Sequence, residues 1–232
     1  MEETHIPTHI AVIPDGNRRW AKEHGLESHK GHQKAAEEIL PALIDRSAQR
    51  GIKYFTFWVL STENTKKRSA AELQSLYTLM RIFIRSKRGE YKKKNIRLKT
   101  IGNLNELPDD LRKGLVQTAK ETENNTRITV IFAINYGGRD EMLRAIRQIM
   151  RDNIDPEKLD VATVNNYLDT RDIPQPDLII RTGGEKRLSG FMLWQGEYAE
   201  YAFSDKYFPD FTADDIDMYI NDFSHRHRRF GK

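Results

Sequence analysis

The chain has 232 residues, 31% charged and 38% hydrophobic, enough for one sizeable core and too apolar for a disordered polymer. It has no cysteine, which excludes disulfides, Cys-ligated zinc, iron–sulfur clusters and thiol nucleophiles, and no apolar run reaches the roughly 18 residues of a membrane-spanning helix. The formal charge of +4 is mild: it could attract phosphates, acidic lipid heads or nucleic acid, and it fits an ordinary soluble surface equally well. The acidic N-terminus, MEETHIPTHIAVIP, lacks the basic start and long apolar stretch of a signal peptide, so a cytoplasmic location is expected.

In chain order, HIAVI at 9–13, IKYFTFWVL at 52–60, IRLKTI at 96–101, ITVIFAI at 128–134 and DLIIR at 177–181 read as strands. Most are apolar throughout, as strands of a parallel sheet covered on both faces must be. Pro41 predicts a kink or break in the helix that follows His32. Between the second and third strands, Leu73, Leu76, Tyr77, Met80, Phe83 and Ile84 recur at helical spacing behind a Ser69/Glu72 capping box. A second stripe runs Met142, Ala145, Ile146, Ile149, Met150. A third runs Ile216, Tyr219, Ile220, Phe223 behind Thr212 and Asp215. A short helix is expected near 161–168, and 183–210 has no clear pattern. Strand and helix alternate, which predicts one α/β domain over 1–232 with a central, mostly parallel sheet flanked by helices.

Ligands of open α/β sheets sit beyond the carboxyl ends of the strands. Four of the predicted strands end in polar, glycine-rich or cationic turns: Pro14 to Trp20, Ser61 to Asn64, Asn135 to Arg139, and Arg181 to Arg187. These turns are expected to converge on one edge of the sheet. Glycines let backbone amides approach an anion, and Arg18, Arg19, Arg181 and Arg187 supply forked guanidinium donors for phosphate oxygens. Asp15 is the acid among them, and a carboxylate at a phosphate site points to Mg²⁺ between the two. Taken singly, each turn is as well explained as a cap or a surface loop; their shared placement favours a site. No P-loop and no GxGxxG follows the first strand, and the scattered tryptophans do not form a stacking platform, so no nucleic-acid partner is expected.

HIAVIPDGNRRWA, GHQKA, LSTEN, NYGGRDE, IRTGGEKRLSGFMLWQGEYAE and the terminal RRFGK, in that order, resemble the cis-prenyltransferases, the undecaprenyl (Z-isoprenyl) diphosphate synthase family. The resemblance implies an undecaprenyl diphosphate synthase-like fold with an apolar tunnel, working as a Mg²⁺-dependent homodimer. It would condense isopentenyl diphosphate with an allylic diphosphate such as farnesyl or geranyl diphosphate. The product would be a Z-polyprenyl diphosphate, with a peripheral membrane contact where it leaves.

The same resemblance assigns Asp15 as catalytic carboxylate and metal ligand, and Asn64 as proton acceptor. Gly16, Asn17, Arg18, Arg19, Trp20 and His32 would surround the allylic diphosphate. Ser61, Thr62, Glu63 and Arg68 would face the substrate, and Arg181, Arg187, Leu188 and Ser189 the diphosphate of isopentenyl diphosphate. Glu200 would join the metal site, within the subunit or across the dimer, and Arg229 and Gly231 would reach a neighbouring site. The stripe from Leu73 to Ile84 is the candidate tunnel wall. The chain departs from the family pattern at Ser28, Thr65 and Lys186. Two alternatives share the fold: irregular condensation of two allylic diphosphates, and a non-catalytic subunit of a heteromeric enzyme, which the retained Asp15, Asn17, Arg19 and Arg181 disfavour. A trans-prenyltransferase is disfavoured because neither Asp109-Asp110 nor Asp214-Asp215 completes a DDxxD motif.

Overall fold

A computed structural model of the chain describes residues 6–226. Its centre is one sheet of six parallel strands in the order β3-β4-β2-β1-β5-β6. The strands are β1 (His9–Ile13), β2 (Tyr54–Ser61), β3 (Ile96–Ile101), β4 (Ile128–Tyr136), β5 (Leu178–Arg181) and β6 (Glu200–Phe203). The five expected strands are all present. The sixth, β6, comes from the stretch without pattern: its residues EYAF are only partly buried and show no apolar run. An edge strand of four residues is specified by pairing with β5, not by its own composition.

Helices cover both faces, and the period-2 alternation decides which side chain goes where. Ile10, Val12, Phe55, Phe57, Val130 and Phe132 point to the larger core. There they meet α3 (Leu40–Gln49), α5 (Ala70–Lys93), α6 (Asp109–Glu121) and α9 (Ala213–His225). Ala11, Ile13, Ile131, Ala133 and Ile179 point to the smaller core of the other face, with Tyr136, Phe191 and Met192. That face also carries α7 (Gly138–Arg151), whose Glu141 bonds Tyr136.

The two capping boxes read from sequence are formed: Ser69 with Glu72 opens α5, and Thr212 with Asp215 opens α9. Pro41 does not break its helix. α2 (Ser28–Lys34) runs into a π-helical turn, Ala35–Ile39, and then into α3, so the wider turn absorbs the N–H that proline lacks. Between Trp58 and Ser61 the β2–β4 register shifts twice, a bulge that re-aims β2 as it reaches the site.

Candidate active site

β1 lies between β2 and β5, so chain connections leave it in opposite directions and open a crevice at its carboxyl end. A cavity of about 670 Å³ occupies that crevice. Its mouth is lined by Asp15, Gly16, Asn17, Arg18, Arg19, His32, Ser61, Glu63, Asn64, Arg68, Arg181, Glu185, Arg187 and Ser189. Its interior is apolar, with Leu76, Met80, Phe83 and Ile84 of α5, Phe57 and Leu60 of β2, and Phe132 of β4. At 1.5 Å per helical residue, the α5 wall from Leu76 to Ile84 spans roughly 12 Å.

The mouth is organised around one ion pair. Arg181, almost wholly buried at the end of β5, donates from Nη2 to Asp15 Oδ2 at 2.8 Å. Its Nη1 donates to the Arg187 carbonyl at 2.5 Å and to Ser189 Oγ at 2.8 Å. The loop 182–189 is thereby tied to β5. Asp15 Oδ1 accepts from the Gly16 amide at 2.7 Å and pairs with Arg19 at 3.3 Å. Burial alone would raise the Asp15 carboxyl, but the hydrogen bonds of Arg181 and Gly16 and the two guanidinium charges hold it below the usual carboxylate range. Thr182 locks the turn: its Oγ accepts from the Asp15 amide and donates to the Asp15 carbonyl, both at 2.9 Å.

Two glycines make the closure sterically feasible. Gly16 sits at φ +96°, and a Cβ there would lie 2.5 Å from Tyr207 Cδ1. Gly183, at φ +87°, would place a Cβ 2.8 Å from Arg19 Nη2 and 3.0 Å from the Asp15 carbonyl carbon. Arg19 in turn stands over the Tyr207 ring, 5.2 Å from its centroid. Tyr207 was not expected; it comes from the unpatterned stretch, where only the fold reveals its position.

A second cluster faces the first across the mouth. His32, Arg18 and Arg68 come from α2, α1 (Asn17–Glu23) and the end of α4 (Thr62–Lys67). Buried polar atoms here lack partners: His32 Nε2, Arg68 Nε, Asn17 Oδ1 and, from the first cluster, Arg181 Nε. Burial, then the charges of Arg68 and Arg18, lowers His32 to about 4, so it is neutral near pH 7. Burial and then Arg18 also lower Arg68. The acid paired here is Glu72, 3.4 Å from Arg18. Cations pressed together, with the Nε–H donors of Arg68 and Arg181 unspent, form a receptor for an anion with several oxygens.

Several expected site residues are placed differently. Trp20 does not line the cavity: its indole donates to Asp210 at 2.7 Å and stacks on His24, packing α1 onto the turn at 208–210. Thr62 is buried outside the lining, against Gly137. Leu188 packs on the smaller core. Ser61 caps α4, accepting from the Asn64 amide at 3.0 Å, while Glu63 and Asn64 are exposed at the rim. Within one chain Glu200 is not beside Asp15. It opens β6, level with Leu178 at the amino end of the sheet, and pairs with Arg226 at 2.8 Å. The turn Asn135 to Arg139 does not reach the cavity either. Tyr136 continues β4, and Glu141 receives its O–H at 2.7 Å on the other face. Lys186 is exposed. Arg229 and Gly231 lie outside the described residues. Of the α5 stripe, Leu73 and Tyr77 serve the core while Leu76, Met80, Phe83 and Ile84 wall the cavity.

Among the described residues no three potential metal ligands cluster. Asp15 is a single carboxylate flanked by arginines. That donor set fits a Mg²⁺ ion shared with diphosphate oxygens and water, not an ion held by protein alone.

Residues 13–231 match a family model described as "Putative undecaprenyl diphosphate synthase". An isoprenyl transferase of Brucella suis is 42% identical over 229 residues, covering 97% of this chain and 89% of that protein. One from Zymomonas mobilis is 40% identical over 230 residues, covering 97% and 92%. Among solved structures, lavandulyl diphosphate synthase from Lavandula x intermedia in complex with dimethylallyl diphosphate superposes with a TM-score of 0.93 at 34% identity, covering all of both chains. A "probable undecaprenyl diphosphate synthase" from Campylobacter jejuni gives 0.83 at 30%, covering 98% of this chain and 100% of that one.

Proposed function

Because this chain belongs to the undecaprenyl diphosphate synthase family of prenyltransferases, we infer that it condenses isopentenyl diphosphate with an allylic diphosphate to give a Z-prenyl diphosphate. The observation that carries this reading is the polarity of the cavity: a cationic mouth with unpartnered donors opens into a deep apolar bore. An anionic head on a hydrocarbon tail matches both halves. Each CH₂ taken from water into such a bore contributes about 0.8 kcal/mol.

Arg18, Arg68 and His32 hold the allylic diphosphate, with the Gly16 turn beneath it. Arg181, Arg187 and Ser189 hold the second diphosphate. Asp15 would hold Mg²⁺ jointly with a diphosphate, and such an ion, when bound, would supply charge stabilisation for the departing diphosphate. Arg181 keeps the Asp15 carboxyl ionised and aimed at the mouth, and Arg19 and Arg18 stabilise the leaving diphosphate where charge develops. Asn64 stands at the rim where the condensation proton is lost, and as an amide it orients the acceptor, a phosphate oxygen or water, better than it takes the proton itself. Phe83 and Phe132, edge to face at 5.6 Å, stand at the deep end of the bore.

The working unit is a dimer through α7. Leu143, Ile146 and Met150 are 52%, 45% and 71% exposed on one helix face, an apolar stripe that a second copy would cover. Glu200 and the C-terminal segment would then serve a neighbouring site. Among the described residues no helix is long and apolar enough to cross a membrane.

A second reading has a specific basis, the 0.93 superposition on lavandulyl diphosphate synthase: condensation of two allylic diphosphates. One experiment separates them. Purified protein with Mg²⁺ is given labelled isopentenyl diphosphate with farnesyl or geranyl diphosphate, or dimethylallyl diphosphate alone, and the dephosphorylated products are chromatographed. Label in chelator-sensitive Z-products supports the first reading. Product from dimethylallyl diphosphate alone supports the second. Product from neither removes both.

A further inference from the structure

The cationic surplus of the chain is concentrated in one place. Between Arg81 and Arg97 eight side chains are cationic and one, Glu90, is acidic, whereas the whole chain carries only +4. α5 contributes most of this run, and α6 packs beside it, with Arg81 on Asp110 at 2.6 Å and Arg88 on Glu121 bridging the two helices. Every acid of α5 and α6 is in an ion pair: Glu72, Glu90, Asp109, Asp110 and Glu121. Arg85 and Lys92 on α5, and Lys113 and Lys120 on α6, are exposed and make no ion pair among the described residues. Their outward face therefore presents net positive charge: the acids within reach, Asp109 of Lys113 and Glu121 of Lys92, are already paired with Arg112 and Arg88.

Apolar side chains are set into the same surface. Ile82 is 50% exposed and Val116 54%. Exposed cations interspersed with aliphatic side chains suit a bilayer interface, where ammonium and guanidinium groups meet anionic headgroups and the aliphatic tips enter the acyl boundary. Nucleic acid is a poorer match. The aromatics of α5, Tyr77, Phe83 and Tyr91, point inward, and α6 has none, so there is no stacking platform. The inner faces of these helices supply Phe83, Ile84 and Leu115 to the cavity wall, so its apolar bore lies about one helix diameter, roughly 10 Å, beneath this surface. α7, with its own apolar stripe, lies on the opposite face of the sheet, so a dimer formed there leaves α5 and α6 free.

We propose that the outer face of α5 and α6 docks the protein on an anionic phospholipid bilayer. The docking rests on surface charge and does not require that the cavity hold a prenyl chain, so it stands or falls separately from the enzymatic reading.

The test is co-sedimentation of the full chain with vesicles of phosphatidylcholine containing a minority of phosphatidylglycerol, against vesicles of phosphatidylcholine alone. Binding should need the anionic lipid and weaken as salt is raised. The triple substitution Arg85→Gln, Lys92→Gln, Lys113→Gln should weaken it about 100-fold, at roughly fivefold per charge. A control with three other exposed cations changed, Lys22→Gln, Lys53→Gln, Lys158→Gln, should leave it nearly intact. Ile82→Ser should weaken binding several-fold without changing its salt dependence. These side chains are exposed, and an unchanged melting temperature verifies that the variants fold. Equal pelleting with both vesicle types, equal loss in the two triple variants, or preference for single-stranded RNA over the anionic vesicles would overturn the assignment.

Discussion

Two polar clusters grow from carboxyl ends of the same sheet, one after β1 and β5 and the other after β4, and they have opposite characters. Around Asp15 and Arg181 the donors outnumber the acceptors, a cavity adjoins them, and four buried polar atoms of the mouth lack partners. Around Glu141 the carboxylate is satisfied within the fold. It accepts from Tyr136 O–H at 2.7 Å, Gln195 Nε2 at 3.0 Å and the Asp169 amide at 3.0 Å. Burial leads the causes that raise its pKa. Arg144, on the same helix, closes on Asp169 through two hydrogen bonds. Both clusters come from glycine-rich turns after apolar strands. The open one is equipped to receive a ligand, and the closed one fastens α7 to the loop at 169–170 and to Gln195.

That contrast breaks most sharply by substitution at the two carboxylates. Asp15→Ala should lower condensation turnover by at least about 100-fold, with a smaller loss of stability because Arg181 loses its carboxylate but keeps the Arg187 carbonyl and Ser189 Oγ. Glu141→Ala should do the reverse. It strands the buried Tyr136 hydroxyl, takes one acceptor each from Gln195 and the part-buried Asp169 amide, costs about 3 kcal/mol in urea unfolding, and leaves turnover near normal at low temperature. Loss of activity without loss of stability in Glu141→Ala would move that residue into the site and erase the distinction.

Histidines sharpen the comparison. His9 is fully buried, its ring bonded to the Pro174 carbonyl and to Thr56 Oγ, each at 2.7 Å, whereas His32 keeps Nε2 unpartnered at the cavity. Both are lowered to about 4, mainly by burial. A histidine lowered in the folded state leaves the unfolded chain binding more protons. Its stabilisation is thus complete above pH 6.5 and is lost as pH falls toward 4, by roughly 2–3 kcal/mol for His9. Urea unfolding across that window measures the slope, and His9→Gln should flatten it. Imidazole resonances separate the two sites: inorganic pyrophosphate should move the His32 titration upward and leave His9 where it is.

Two smaller effects concern the surroundings. Ile146→Glu places a charge in the exposed stripe of α7 and should shift the protein toward monomer in light scattering, with the fold intact. Phe83→Ala removes one ring of the pair at the deep end of the bore and should lengthen the distribution of products. An unchanged distribution would mean that the ring pair does not bound the chain.

Much of this was legible in the sequence because it is local. Apolar runs named five of the six strands, helical spacing named α5, α7 and α9, and Ser69/Glu72 and Thr212/Asp215 gave the caps of α5 and α9. The placement of Asp15, Gly16, Arg19 and Arg181 at strand ends followed from a parallel sheet. Only the tertiary structure decided which of the four polar turns share a cavity. The turn at 135–139 has the same composition as the others, yet β4 runs on through Tyr136 and its helix packs on the opposite face. Trp20 looked like a neighbour of the ligand because it adjoins Arg19 in the chain, but successive residues of a helix point about 100° apart, and its ring turned to Asp210. Glu200 and Tyr207 lie in a stretch whose composition carries no period. Their positions are fixed by pairing with β5 and by contact with Gly16, between residues far apart in the chain, and no local pattern records such contacts.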